Sequence, residues 1–401
     1  MRFVLLGHMD PNDEAFWSGI PMQIGQSLRA AGHEVATIGP LEPGVTFWGR
    51  IKGRFYRHAF GKNYLINRDP AVLRARAVQA NRLLRQQAAA DAVVVVYPPD
   101  AAYLTCPAPL ILIHDATWFG LLDFYPGHER HYIARETIEG GIALDRLALE
   151  NCDRAIYASD WAAESAIRGY GIDRSKVAVL PLGAGLTAAP DQADIKQWLE
   201  KRLQGPCRLL FVGKEWHRKG GDIAIEVARR LHDGGMAVEL DIVGCHPPGD
   251  VPSFVRAFGF LSKNDPAKAA LMQRLFQEAS FVIMPSRAEC FGMVFCEAAA
   301  YGLPVVTTKV GGIPEILDGR GWGAMLSPTA PPEDFARWIR TSLDDHVAYE
   351  RMAWSARRDF DQRLNWGVFC RELVATIEGI RRDRRAGIAG TTGRGTQIAA
   401  L

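Results

Sequence analysis

At 401 residues and 48% apolar, the chain is long enough for two or three domains with substantial cores. A formal net charge of +2 excludes the strongly basic surface of a general nucleic-acid binder, and no run approaches the ~18–20 apolar residues that a membrane-spanning helix needs. The seven cysteines are odd in number, scattered and without a C-x-x-C pair, so they read as reduced core residues of a cytoplasmic protein, neither a disulfide framework nor a zinc site.

The chain opens on a strand, Phe3 to Leu6, whose apolar run is too short for a signal peptide. A loop from His8 to Ser18, a helix from about Gly19 to Ala31 and a strand from Gly32 to Ile38 complete a βαβ unit. It lacks G-x-G-x-x-G, so NAD is not indicated. Between Arg50 and Arg85 ten basic residues face one acid, Asp69, and Phe47, Trp48, Phe55, Tyr56, Phe60 and Tyr64 are interleaved with them. That mixture over 47–85 suits an anionic membrane surface, a polyanionic glycan or a phosphorylated lipid. It equally describes a solvated helix face with long arginines lying over aromatic rings.

Two buried strands follow, Ala92 to Tyr97 and Leu110 to Ile113, the second ending in His114-Asp115-Ala116-Thr117-Trp118. Ligands of open parallel sheets sit at the carboxyl ends of strands, so His114 is either a ligand contact or a satisfied interior histidine. Phe119 to Gly127 reads as a loop over a cleft. A charged amphipathic helix from about His131 to Asn151, a strand from Ala155 to Ser159, a helix from Asp160 to Tyr170 and a strand from Lys176 to Leu180 come next. Thr187 to Asp194, with its Ala-Ala-Pro, is the expected linker.

The second half repeats the pattern. A strand, Arg208 to Gly213, runs into Lys214-Glu215-Trp216-His217-Arg218-Lys219-Gly220-Gly221-Asp222 and then a helix with Ile223, Val227 and Leu231 on one face. Adjacent cations are unfavourable at a helix start unless an anion is to be held there; Arg218 can grip two oxygens and Lys219 adds a point charge. Val238 to Val243 is a strand, Asp265 to Ala279 a helix, and Phe281 to Met284 a buried strand leading through Glu289 and Phe291-Gly292 into a helix from Met293 to Tyr301. Glu289 and Glu297 thus bracket a helix N-terminus whose unpaired N–H groups attract anions. Helices over Pro332–Leu343, His346–Asp359 and Phe360 to about Arg382 precede a Gly-, Thr- and Ala-rich tail.

Glu289-x7-Glu297, followed by Ala298-x-x-x-Gly302-Leu303-Pro304-Val305-Val306 and by Gly311-Gly312-Ile313-Pro314-Glu315, resembles the donor-site signature of retaining glycosyltransferases with the GT-B fold, family 4. Arg218-Lys219-Gly220 resembles the same family's Arg-Lys-Gly motif. The resemblance implies an α/β fold of two Rossmann-like doubly wound domains facing a central cleft. Residues 1–187 would form the acceptor domain and 188–360 the nucleotide-sugar donor domain, with 361–385 a terminal helix crossing back to the first and 386–401 a disordered tail.

It also implies roles. Arg218 and Lys219 would stabilise the departing diphosphate, Glu289 would hold hydroxyls of the transferred sugar, and His114 would approach that sugar, completing the catalytic set. Donor binding would further involve Gly19 beside the phosphates, Gly213, the backbone at Phe260 and Leu261 along the base, the segment Cys290, Phe291, Gly292, Met293 and Val294, and Glu297 on the ribose. Where many relatives carry two adjacent glycines this chain has only Gly19, which is equally explained as a helix-start glycine.

No cofactor or metal is expected, because the two cations can neutralise the phosphates and no D-x-D cluster is evident at a likely donor loop. The expected partners are a UDP- or GDP-sugar and a hydroxyl acceptor in a glycan or glycolipid, with peripheral contact to the inner face of a membrane through 47–85 and no nucleic acid. A sugar-nucleotide epimerase on the same fold, or a non-catalytic sugar-nucleotide binder, are the alternatives. The first needs an acid/base pair that the sequence does not offer, and the second does not require Arg218, Lys219, Glu289 and Glu297 together.

Overall fold

A computed structural model describes residues 1–42, 47–186 and 188–394. Chain contacts divide into two units, one formed by 1–158, 162–180 and 366 onward, the other by 159–161 and 181–365. Each is built on a six-stranded parallel sheet.

The first sheet contains β1 (Arg2–Leu6), β2 (Glu34–Ile38), β3 (Ala92–Val95), β4 (Leu110–His114), β5 (Arg154–Tyr157) and β6 (Val177–Val179), in the order β2-β1-β3-β4-β5-β6. Phe3, Val94, Ile111 and Ile156 are fully buried at its centre, as expected of strands covered by helices on both faces. The second contains β7 (Cys207–Val212), β8 (Val238–Val243), β9 (Val255–Gly259), β10 (Phe281–Met284), β11 (Val305–Thr308) and β12 (Gly323–Leu326), in the order β12-β11-β10-β7-β8-β9. The direction of winding reverses between β7 and β10, whose carboxyl ends therefore open onto a crevice where ligands of such sheets bind.

Helix starts follow the sequence where a cap is present. Asp69 accepts from the Ala71 N–H ahead of the helix Pro70–Gln86, and Asp265 does the same for Ala267 ahead of Pro266–Glu278. Other boundaries move for tertiary reasons. The helix expected from His131 begins at Arg135, because Tyr132 and Ala134 exchange backbone hydrogen bonds with Asn63 and stay extended. The expected linker at 187–194 already contains a helix start, Gln192–Gln204, fixed by a capping box between Asp191 and Asp194. Pro181–Gly185 belongs with the second unit, where the Ala184 N–H donates to the Leu364 carbonyl.

The last helices also differ. Phe360 lies in the last turn of the helix His346–Gln362, and a separate helix spans Trp366–Arg394, so the tail expected from 386 is helical to 394 and its last residues lie outside those described. That helix belongs to the first unit, where the Cys370 thiol donates to the Ile24 carbonyl and Arg384 pairs with Asp153 at 2.6 Å.

The basic stretch 50–85 is not one surface. Arg68 is buried, paired with Asp145 at 2.9 Å and lying 4.1 Å from the centre of the Trp118 ring, while Arg76 is buried beside Asp100. Trp118 is itself core: it is 1% exposed, its backbone N–H donates to Asp145 at 2.7 Å, and it opens a short helix, Trp118–Leu121, that takes up the first residues of the loop expected over 119–127. No helix among the described residues is long and apolar enough to cross a membrane.

Candidate active site

The loops after β7 and β10 are pressed together at the reversal point of the second sheet. After β7 the chain passes Gly213, makes a short helix Trp216–Lys219 and turns at Gly220 in the left-handed region, φ +77°. A Cβ on Gly220 would stand 2.1 Å from the Pro285 carbonyl oxygen, so the two backbones meet at this distance only because the residue has no side chain. Gly213 plays a similar part, since a Cβ there would fall 2.8 Å from Cγ of Lys219.

This contact brings Arg218, Lys219 and Glu289 together, all less than a tenth exposed. Arg218 Nη1 donates to the Ala288 carbonyl at 2.9 Å and lies 3.4 Å from Glu289 Oε2, and its Nη2 meets Glu215 at 2.6 Å. Lys219 Nζ pairs with the same Glu289 oxygen. Buried cations need such partners, because taking an unpaired charge out of water costs several kcal/mol. The result is a fixed positive pair at a strand-to-helix junction, held from below by a carboxylate.

Beyond Glu289 the chain is clamped by the Gly312 N–H, which donates to the Glu289 carbonyl at 3.1 Å. Cys290 and Phe291 are buried, Phe291 at 1%, so their side chains pack and only their backbone can face a ligand. Gly292, φ +101°, starts the helix Met293–Ala300, with Met293 and Val294 half-buried in its first turn. Glu297 is 5% exposed, and its Oε1 lies 3.0 Å from Lys263 Nζ, which also donates to the Gly185 carbonyl at 2.5 Å. After β9, Phe260 is 59% exposed with Lys214 Nζ 4.8 Å from its ring centre, and Leu261 beside it is half-buried.

Two residues of this group escape a sequence reading. Lys214 and Lys263 lie in loops whose charge looks like ordinary surface, and only the folded chain sets them against Phe260 and Glu297. Their one sequence signal is adjacency: Lys214 follows Gly213, and Lys263 comes soon after Leu261.

The first unit carries a separate group at the end of β4. His114 stacks on Trp17, with ring centres 4.6 Å apart and planes 5° apart, and its Nδ1 lies 3.0 Å from the Ala116 carbonyl oxygen. Burial pushes its imidazole below the usual range, against the opposing pull of Asp115. Trp17 (φ 45°), Ser18 (φ 57°) and Gly19 (φ 76°) are consecutive left-handed residues ahead of the helix Ile20–Ala30. For Trp17 and Ser18 this conformation is strained by about 1–3 kcal/mol each, a cost characteristic of binding loops. Trp17 went unnoticed in the sequence because nothing there says which way its ring turns.

These two groups can be set beside known proteins. The family model described as Glycosyltransferase Family 4 matches residues 22–187, and that described as Glycosyl transferases group 1 matches 206–345. The chain belongs to glycosyltransferase family 4. Among curated relatives, the D-inositol 3-phosphate glycosyltransferase of Kineococcus radiotolerans is 30% identical over 274 residues, 62% of each chain. The family 4 chain therefore spans about three fifths of that relative's length. Sucrose-phosphate synthase from Thermosynechococcus elongatus superposes with a TM-score of 0.66 at 18% identity, covering 96% of this chain and 100% of that one. Anabaena HepE, solved in complex with UDP-glucose, gives 0.63 at 15%, covering 94% and 100%. At such identities the likeness shows the fold, and that fold is GT-B, as the motifs implied.

Proposed function

We propose that this protein transfers a sugar, with retention of anomeric configuration, from a UDP- or GDP-sugar to a hydroxyl of a glycan or glycolipid acceptor. The observation that carries the reading is the triad Arg218, Lys219 and Glu289 at the β7/β10 reversal point, with Glu297 about one turn into the helix that follows. A diphosphate placed there meets two fixed cations and the free N–H groups at Gly292 and Met293. Charge developing on the departing phosphate is met by donors that need no reorganisation, worth ~3–4 kcal/mol for one well-placed group. Two buried cations supply what a metal would otherwise provide, so the reaction proceeds without one.

Glu289 then accepts from hydroxyls of the transferred sugar, and Glu297 from the ribose. Phe260 offers an exposed ring to the base. The leaving phosphate takes the acceptor's proton as the new glycosidic bond forms on the face that the phosphate leaves. UDP binding by HepE supports the donor class, as does the nucleotide chemistry of these side chains.

The experiment is a thermal-shift panel with UDP, GDP, ADP, CMP and NAD on the wild type and on Glu297→Ala, followed by a donor-hydrolysis assay. Ligand at 100 times its dissociation constant adds about 2.7 kcal/mol, a rise of a few degrees. The expected result is a rise with one nucleoside diphosphate, lost in the variant, and slow release of free sugar from the matching donor. A rise with NAD alone, or none with any diphosphate, would sink the proposal.

A further inference from the structure

The helix Phe47–Phe60 presents an outer face that no other element among the described residues covers. From Arg50 to Phe60 every side chain is exposed except Tyr56, which is half-buried. At 100° per residue Gly49 and Tyr56 point inward. Tyr56 stacks on Tyr64 at 5.6 Å with ring planes 4° apart and donates to Glu136 at 3.3 Å, while Lys52 pairs with the same carboxylate at 2.5 Å. These contacts attach the helix by one side.

The opposite side is a stripe of Ile51, Phe55 and His58 at i, i+4 and i+7. Ile51 is 40% and Phe55 57% exposed; Phe60, one turn beyond Tyr56 at the end of the helix and off the stripe itself, is 60% exposed and its ring reaches Phe55 edge-on with centres 5.6 Å apart. Arg50, Arg54 and Arg57 form a second row at the same spacing along one flank of the stripe. Between Phe47 and Phe60 there is no carboxylate, and among the described residues none pairs with these three arginines.

We propose that this helix lies in the headgroup layer of an anionic lipid bilayer, its arginine row on the lipid phosphates and its phenylalanines among the upper acyl chains. A helix of 14 residues is ~21 Å long, too short to span but suited to lie in the plane of an interface. A row of cations alone would fit any polyanion. The two exposed rings and Ile51 beside it gain only where an apolar layer lies just beneath the charge, which a bilayer supplies and a soluble polyanion does not. The inference is independent of the transfer reading.

The test is flotation of the full chain with vesicles of phosphatidylcholine alone and with about a third phosphatidylglycerol. Binding to the anionic vesicles only is expected, falling at ~1 M salt, where screening reaches about 3 Å. Arg50→Glu/Arg54→Glu/Arg57→Glu should weaken it by on the order of a hundredfold. Phe55→Ser/Phe60→Ser, at unchanged charge, should weaken it about tenfold or more. Both variants alter exposed residues, and an unchanged melting temperature and nucleotide response confirm that the fold and donor site are intact. Failure to float with anionic vesicles at low salt would overturn the proposal. So would a phenylalanine variant that floats like wild type, since adsorption would then be charge alone and a soluble polyanion the better occupant.

Discussion

Lys219 and Glu289, 70 residues apart in sequence, form a buried ion pair with Arg218 as its third member. Removing Glu289 takes from both buried cations the carboxylate they share, Arg218 keeping its pair with the half-exposed Glu215. Glu289→Gln should therefore destabilise the protein by about 3–5 kcal/mol in urea denaturation. The double variant Glu289→Gln/Lys219→Met should recover part of that loss, and additive losses would show that the pair is not coupled. Lys219→Ala should lower turnover on the order of 100- to 1,000-fold if the ammonium meets the departing phosphate.

Lys263 tests the nucleoside side of the site. Its own side chain is 53% exposed, but its partner Glu297 is buried, so Lys263→Met should destabilise the protein by about 1–3 kcal/mol through the carboxylate it leaves without that cation. Because it reaches both Glu297 and the Gly185 carbonyl, removing it should also alter the affinity for the nucleoside diphosphate several-fold while leaving turnover of the bound donor nearly unchanged. Equal KM and equal diphosphate affinity in the variant would place Lys263 outside the site.

His114 gives a pH dependence whose sign is fixed. Burial lowers its folded-state pKa below the ordinary histidine value of 6.5, so the unfolded chain binds a proton that the folded one refuses. The stability this confers is full above the unfolded value and declines as pH drops through it toward the folded value. His128, lowered for the same reason, contributes with the same sign. Urea midpoints at about pH 7.5 and about pH 5.5 should differ more in wild type than in His114→Asn. A difference undiminished in the variant would assign the whole effect to other groups.

Gly220 and Gly235 share a left-handed backbone but not surroundings. Alanine at Gly235, φ +82° with open space around it, should cost only the conformational penalty of about 1 kcal/mol. At Gly220 the added Cβ meets the Pro285 carbonyl, and Gly220→Ala should cost at least 2 kcal/mol more, through the backbone shift it forces. Because that shift would part the β7 and β10 loops, nucleotide affinity should fall with it. A thermal-shift titration of both variants reads the two effects together.

Much of this site could be read before folding was known. Buried parallel strands appear in sequence as short apolar runs, and residues just beyond their carboxyl ends are where a doubly wound sheet binds ligands, so Arg218, Lys219, Glu289 and His114 stood out by position. The helices Pro266–Glu278 and Pro332–Asp344, each opened by a proline, were placed closely, whereas the capped helix Gln192–Gln204 fell where a linker was expected. The helix after His131 was not placed closely either, because its first residues pair with Asn63, far away in sequence.

The sequence by itself determined the two-part α/β architecture and the loops that bear the chemistry, because hydrophobic periodicity and turn residues are local properties. Strand order was decided by the tertiary structure alone. It sets β7 beside β10 and so joins Lys219 to Glu289, a contact that neither loop could specify alone. Tertiary structure likewise turned Arg68 and Arg76 inward to carboxylates while leaving Arg54 and Phe55 outside. Composition counts charges and rings; only packing gives them a direction.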